Sequence, residues 1–150
     1  MLIGVRLPTA GPAASRDGLL DAARELEQAG AEALWVSDHV VQPREIASPY
    51  PYAEDGRATW DPTVPQLEAV TALAAVAAVT TRVRLGTAVL VLPQRQPVLL
   101  AQQLAAVDVI AGGRLVIGVG AGWLAEEFAA LGVDFARRSP RRAAPRAVRS

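Results

Sequence analysis

The chain contains no cysteine. That excludes a disulfide framework and any cysteine-ligated metal centre, and it fits a cytoplasmic protein. Only one histidine is present, so a metal site would have to be built from scattered carboxylates, and no metal is expected. Lysine is absent as well, and all fifteen basic residues are arginine. No apolar run reaches the ~18 residues of a membrane span, because glycine, proline or charge interrupts each one, and no membrane partner is expected. The opening stretch, Met1 to Pro8, lacks the basic region of a signal peptide and reads as a strand. Neither a P-loop pattern nor a nucleophile elbow occurs.

What is present is a mostly apolar chain with an uneven charge distribution. Apolar residues make up 51% of its 150 residues, which excludes a disordered protein and suits one domain with a core. Residues 1–134 hold nine arginines against all fifteen acids, a net charge of −6, and the remaining six arginines lie between Arg137 and Arg149. The composition therefore divides the chain into a body, 1–135, and an Arg/Ala/Pro-rich tail, 136–150. The tail has no aromatic residue and no apolar periodicity, so it is expected to be disordered or weakly helical and solvated, without a nucleic-acid partner.

Four strand-like runs alternate with four helical patterns. Residues 2–7 form the first run, ended by Pro8. Ser15 caps a helix over about 16–29, with Leu19, Leu20, Ala23 and Leu26 at helical spacing, and Gly30 stops it. Ala33 to Val36 is the second run. A long loop, 40–60, follows, and loops of that length in compact domains are usually functional. Asp61-Pro62 then reads as the start of a helix over about 63–79. Val83 to Leu92 is the third strand, Pro97 opens a helix to about 111, Leu115 to Val119 is the fourth strand, and a last helix runs from about Leu124 to Gly132. Helical crossovers between apolar strands imply an α/β fold with a parallel sheet. Periodicity leaves a barrel and a doubly wound sheet both open.

Parallel α/β folds bind ligands at the carboxyl ends of their strands, and three such ends are readable. Ser37-Asp38-His39 follows the second strand; a carboxylate beside the sole imidazole can orient a substrate or move a proton, or simply form a loop. Thr87-Ala88-Val89-Leu90 offers small residues beside which a flat ring can lie, and would otherwise be ordinary core. Gly118-Val119-Gly120-Ala121-Gly122-Trp123 permits close backbone approach at a strand-to-helix turn. It is not the dinucleotide fingerprint: Trp123 stands where a third glycine belongs, and no acid follows at about 20 residues.

Taken together, these residues resemble the luciferase-like monooxygenase family. The resemblance is carried by Glu27 to His39, by Thr80 to Val89, by Gln102 to Arg114, and by Gly118 to Trp123 continued by Glu126-Glu127-Phe128. It implies a TIM (β/α)8 barrel. A complete one needs roughly 250 residues, so the chain is expected to hold about four units, a half-barrel that ends before the phosphate-binding strands. The likeness is expected to fade near Arg138, and the tail beyond has the composition that a shifted reading frame in a GC-rich gene would encode.

The resemblance further implies a flavin- or deazaflavin-dependent oxidoreductase acting on a small organic substrate. Coenzyme F420 is the cofactor it favours, with FMN as the alternative. Asp38 and His39 would lie near the reactive part of the ring. Ala88 and Val89 would form a bulge with a non-prolyl cis peptide behind it, and Gly120, Ala121 and Gly122 would line the cleft. Loop 40–60 would roof the site. Trp123 occupies the place of a glutamate found in sugar-phosphate dehydrogenases of the family, which speaks against that activity. A homodimer through the helices near 63–79 and 97–111 is expected. The alternative is a catalytically inactive fragment, or a half-barrel that pairs with another half.

Overall fold

The computed structural model describes residues 3–59 and 61–139. Four strands, β1 (Gly4–Arg6), β2 (Ala33–Val36), β3 (Arg84–Val91) and β4 (Leu115–Gly120), alternate with four helices, α1 (Arg16–Gln28), α2 (Ala69–Ala77), α3 (Pro97–Ile110) and α4 (Ala125–Ala130). The strands form one parallel sheet in the order β1-β2-β3-β4. A doubly wound sheet reverses its order at a switch point, whereas a barrel adds each strand beside the last. The sequential order therefore selects the barrel architecture, with four of its β/α units in place.

The strand register explains the core. Val5, Leu34, Leu85 and Leu115 lie side by side across the four strands, and all four pack into one cluster with Leu19 and Ala23 of α1, Leu73 and Val76 of α2, and Leu100 and Val107 of α3. The neighbouring row points to the opposite face: Arg6, Trp35, Gly86 and Val116. The Trp35 indole lies across Gly4 and Gly86, where a Cβ on either glycine would collide with its ring. Two missing side chains thus make room for one large flat one.

Capping follows the sequence in α1 and α3 but not in α2. The Ser15 hydroxyl accepts from Gly18 N–H at 3.0 Å, and Pro97 opens α3. The helix expected over 63–79 begins only at Ala69, capped by Glu68. Asp61 instead closes a local turn, accepting from the Thr63 N–H at 2.8 Å. The cause is long-range pairing: Gly11 N–H donates to Pro65 O and Leu67 N–H to Thr9 O. Those groups bridge to the loop after β1, so this segment cannot be helical.

At the amino ends of the strands two charged side chains bind backbone. Glu27 accepts from the N–H groups of Thr81, Arg82 and Val83. Arg114 donates to the carbonyls of Ala77, Thr80, Val83 and Ala111. These contacts give a structural reason for residues that carry the family resemblance far from any ligand-binding end. After α4, a 3₁₀ turn, Phe135–Arg137, carries regular structure into the segment separated by composition at 136. Residues 140–150 of the expected disordered tail lie outside the described residues. Among the described residues no helix is long and apolar enough to cross a membrane.

Candidate functional site

The carboxyl ends of the strands bring together the loop after β1, Ser37 to His39 after β2, the segment after β3 and the glycine turn after β4. Asp38 and His39 are adjacent in sequence, but their side chains diverge. The Asp38 side chain is fully buried. Its Oδ2 accepts from Val91 N–H at 2.8 Å, and its Oδ1 from Arg95 Nη2 at 2.6 Å. Arg95 also reaches Glu68 Oε1 at 2.9 Å. Burial pushes the Arg95 guanidinium towards losing its proton, but Asp38 and Glu68 outweigh this and raise its pKa further, so it stays charged. Asp38 thus anchors the end of β2 to the end of β3.

His39 turns towards α4. Its Nδ1 lies 3.1 Å from Glu127 Oε2, and its carbonyl accepts from Gln66 Nε2 at 2.6 Å. Glu127 also accepts from Val40 N–H at 2.6 Å and Val41 N–H at 3.1 Å. Glu126 does the same for Ala47 and Ser48, at 2.8 and 2.9 Å. The Ser48 hydroxyl in turn accepts from Ala125 N–H, so the amino end of α4 is occupied by the loop. Tyr50 packs edge-on against Trp123, ring centroids 5.1 Å apart. Loop 40–60 is therefore fastened to α4 along its first half.

The peptide bond between Ala88 and Val89 is cis, at the position the family resemblance implies. The ladder between β3 and β4 shifts register there. Ala88 is exposed and Val89 is 45% exposed: β2 pairs with β3 only as far as Thr87, and the β3–β4 ladder skips both residues. Beside it, a Cβ on Gly120 would strike Val89 Cγ2 at 2.6 Å. At Gly122, which has φ 79°, an added Cβ would meet Phe128 and Val91 at 2.7 Å. These two glycines are thus required by packing within the chain itself. Arg138 donates to the Gly122 carbonyl at 3.2 Å and lies over the Phe135 ring, which packs edge-on against Phe128.

A cavity of about 250 Å³ opens beside loop 40–60, lined by His39, Val40, Gln42, Pro62, Val64, Gln66 and Glu68. It takes in His39 but none of Ala88, Val89, Gly120, Ala121 and Gly122. The structure thus separates Asp38, paired with Arg95, from His39, paired with Glu127, and from Val89, packed on Gly120, while Gly122 lies against Val91 and Phe128. Among the described residues no cluster of three or more potential metal ligands occurs. Sequence reasoning missed Arg95, Gln66, Glu68 and Glu127. The one local signal was the Glu126-Glu127 pair just after the glycine turn, and nothing local shows what it binds.

Comparison with known proteins supplies the context for this geometry. The sequence model described as luciferase-like monooxygenase matches residues 1–143. An uncharacterised protein of Mycobacterium tuberculosis is 37% identical over 119 residues, covering 79% of this chain and 41% of that protein. An F420-dependent glucose-6-phosphate dehydrogenase of Amycolatopsis mediterranei is 33% identical over 118 residues, 78% of this chain and 31% of that enzyme. Among solved structures, the monooxygenase RslO1 of Streptomyces bottropensis superposes with a TM-score of 0.61 at 31% identity, covering 89% of this chain and 37% of that one. The oxygenating constituent of 3,6-diketocamphane monooxygenase of Pseudomonas putida, solved with FMN, shares the fold with a TM-score of 0.65 at 21% identity, covering 88% and 32%. The chain spans about two-fifths of the length of the first curated relatives it matches.

Proposed function

The chain belongs to the luciferase-like monooxygenase family, and we propose that it supplies the first four β/α units of an oxidoreductase that binds a flavin-type ring at these strand ends. The observation that carries this reading is the apolar ledge formed by Ala88 and Val89. An exposed valine inside an internal strand, beside glycines with no side chain, leaves a flat apolar surface of the kind a planar ring covers. The residues present therefore fit such a group. Ala88 and Val89 would back the ring, and Gly120, Ala121 and Gly122 would border it. F420 is the cofactor proposed, supported by the F420-dependent relative of Amycolatopsis mediterranei; FMN, bound in the Pseudomonas structure, is the alternative.

When bound, a deazaflavin supplies two-electron hydride chemistry, and FMN can also support oxygen insertion. The chain's own residues would do the rest. Asp38, buried and ion-paired, ties the end of β2, which His39 follows, to the end of β3, which carries the ledge. His39, with its side chain 20% exposed, would hold or move a proton at the substrate. Loop 40–60, fastened to α4 by Glu126 and Glu127, would exclude water. The substrate proposed is a small organic molecule; a sugar phosphate is disfavoured by Trp123. A homodimer is proposed through the outer face of α3, where Val98, Leu99, Val109 and Ile110 are exposed, more than through α2, most of which is in the core.

Side-by-side titration with F420 and FMN, followed by absorbance and fluorescence, tests the reading. Saturable binding of F420 in preference to FMN supports it, and FMN binding alone would reverse the cofactor. A second reading, an inactive fragment or a half-barrel that pairs with another half, is favoured by the exposed Val116 and Val119 on β4. Binding of neither cofactor would leave that reading in its place.

A further inference from the structure

Glu127 is 1% exposed, and its carboxylate is held by three groups. Oε1 takes the N–H groups of Val40 and Val41, and Oε2 faces His39 Nδ1. Burial pushes this carboxyl up, but the hydrogen bonds it receives from His39 and Val41 N–H outweigh it and hold the group below its ordinary value of 4.5. Glu127 is therefore ionised at neutral pH, and an ionised carboxylate only accepts hydrogen bonds. The nitrogen facing it must carry a proton. In the neutral ring, the lone pair is then on Nε2.

We propose that Glu127 is a positioning residue that fixes the tautomer of His39, with the proton on Nδ1 and the lone pair on Nε2, and couples that setting to the fastened state of the roof loop. The coupling arises because one carboxylate binds both the ring and the first two N–H groups of the loop. If the loop lifts from α4, His39 loses the acceptor that selects its tautomer. This gives the imidazole a defined role as proton acceptor through Nε2. That role in turnover rests on the oxidoreductase reading above; the tautomer itself does not. Glu126, one residue earlier, binds loop N–H groups in the same way, but it holds Ala47 and Ser48 and not the ring.

The test is long-range proton–nitrogen NMR on the ¹⁵N-labelled chain, above the pH at which the ring titrates. The sequence has one histidine, so the signals need no assignment. The wild-type neutral ring is expected to be protonated at Nδ1, whereas free histidine favours Nε2. In Glu127→Gln, the Val40 and Val41 N–H groups claim the amide oxygen, and the amide NH₂ then faces Nδ1. The ring should switch to the Nε2–H form. Glu126→Gln should leave the ring unchanged. A wild-type ring protonated at Nε2, or a Glu127→Gln ring that stays protonated at Nδ1, would overturn the proposal. If Glu127→Gln does not fold, the wild-type spectrum decides alone. An Nδ1–H ring in a chain that binds neither F420 nor FMN would uphold this inference while defeating the cofactor reading.

Discussion

Asp38 Oδ1 accepts a hydrogen bond from Arg95 Nη2 at 2.6 Å, linking the ends of β2 and β3 through a carboxylate with no solvent exposure. Arg95→Ala leaves that buried charge with the Val91 N–H as its remaining donor among the described residues. Removing one partner of a buried pair typically costs about 3–5 kcal/mol. Because the Arg95 side chain keeps 13% exposure, the lower end, about 3 kcal/mol, is expected. Denaturant unfolding would show it as a lower midpoint with unchanged slope, and Arg95→Lys should lose less.

Gly122→Ala tests the glycine turn. The substitution places a Cβ at positive φ, 2.7 Å from Phe128 and Val91. Left-handed backbone costs an L-residue about 1–2 kcal/mol, and overpacking adds about 1–3. A loss of about 2 kcal/mol or more in thermal or denaturant unfolding is the expected outcome. Gly30→Ala should cost less, because there the φ of 89° is unfavourable but the space is open.

Arg114 gathers the carbonyls of Ala77, Thr80, Val83 and Ala111 at the end of the sheet remote from the candidate site. Arg114→Ala orphans these acceptors, with a cost of about 3 kcal/mol expected from lost charge-assisted bonds. In a chain with enough stability to stay folded, cofactor affinity should be unaffected. Equilibrium unfolding and a ligand titration on the same sample separate the two effects.

Acid should weaken the attachment of loop 40–60 and the start of α2. Glu127 and Glu68 are both held below the ordinary 4.5: burial pushes each up, but hydrogen bonds to the carboxylate outweigh it, from His39 in one and from Thr71 in the other. A depressed folded-state pKa gives stability that is complete above the unfolded value and is lost as pH falls through the folded value. Melting temperature should therefore hold from neutral pH down to about 4.5 and fall below it. Glu127→Gln should flatten part of that fall.

Much of the scaffold is legible in the sequence because it rests on local rules. Apolar runs bounded by glycine and proline mark the four strands, and Ser15 and Pro97 mark helix starts. Strand order is not local, and only the sheet shows that it selects a barrel. The late start of α2 depends on Thr9 and Gly11 pairing with residues about 55 positions later. The site was legible as a set of strand ends, but not as contacts. Asp38 and His39 look like a pair in sequence, yet one turns to Arg95 and the other to Glu127, 88 residues away.

The most direct measurement is an F420 titration of wild-type chain against Val89→Asp. The Val89 side chain is exposed on the ledge, so a carboxylate there should leave the fold intact while placing charge where the ring would lie. At least a tenfold loss of affinity, with an unchanged melting temperature, is the predicted result. Equal affinity in the two proteins would contradict a ring-binding ledge at the Ala88–Val89 bulge.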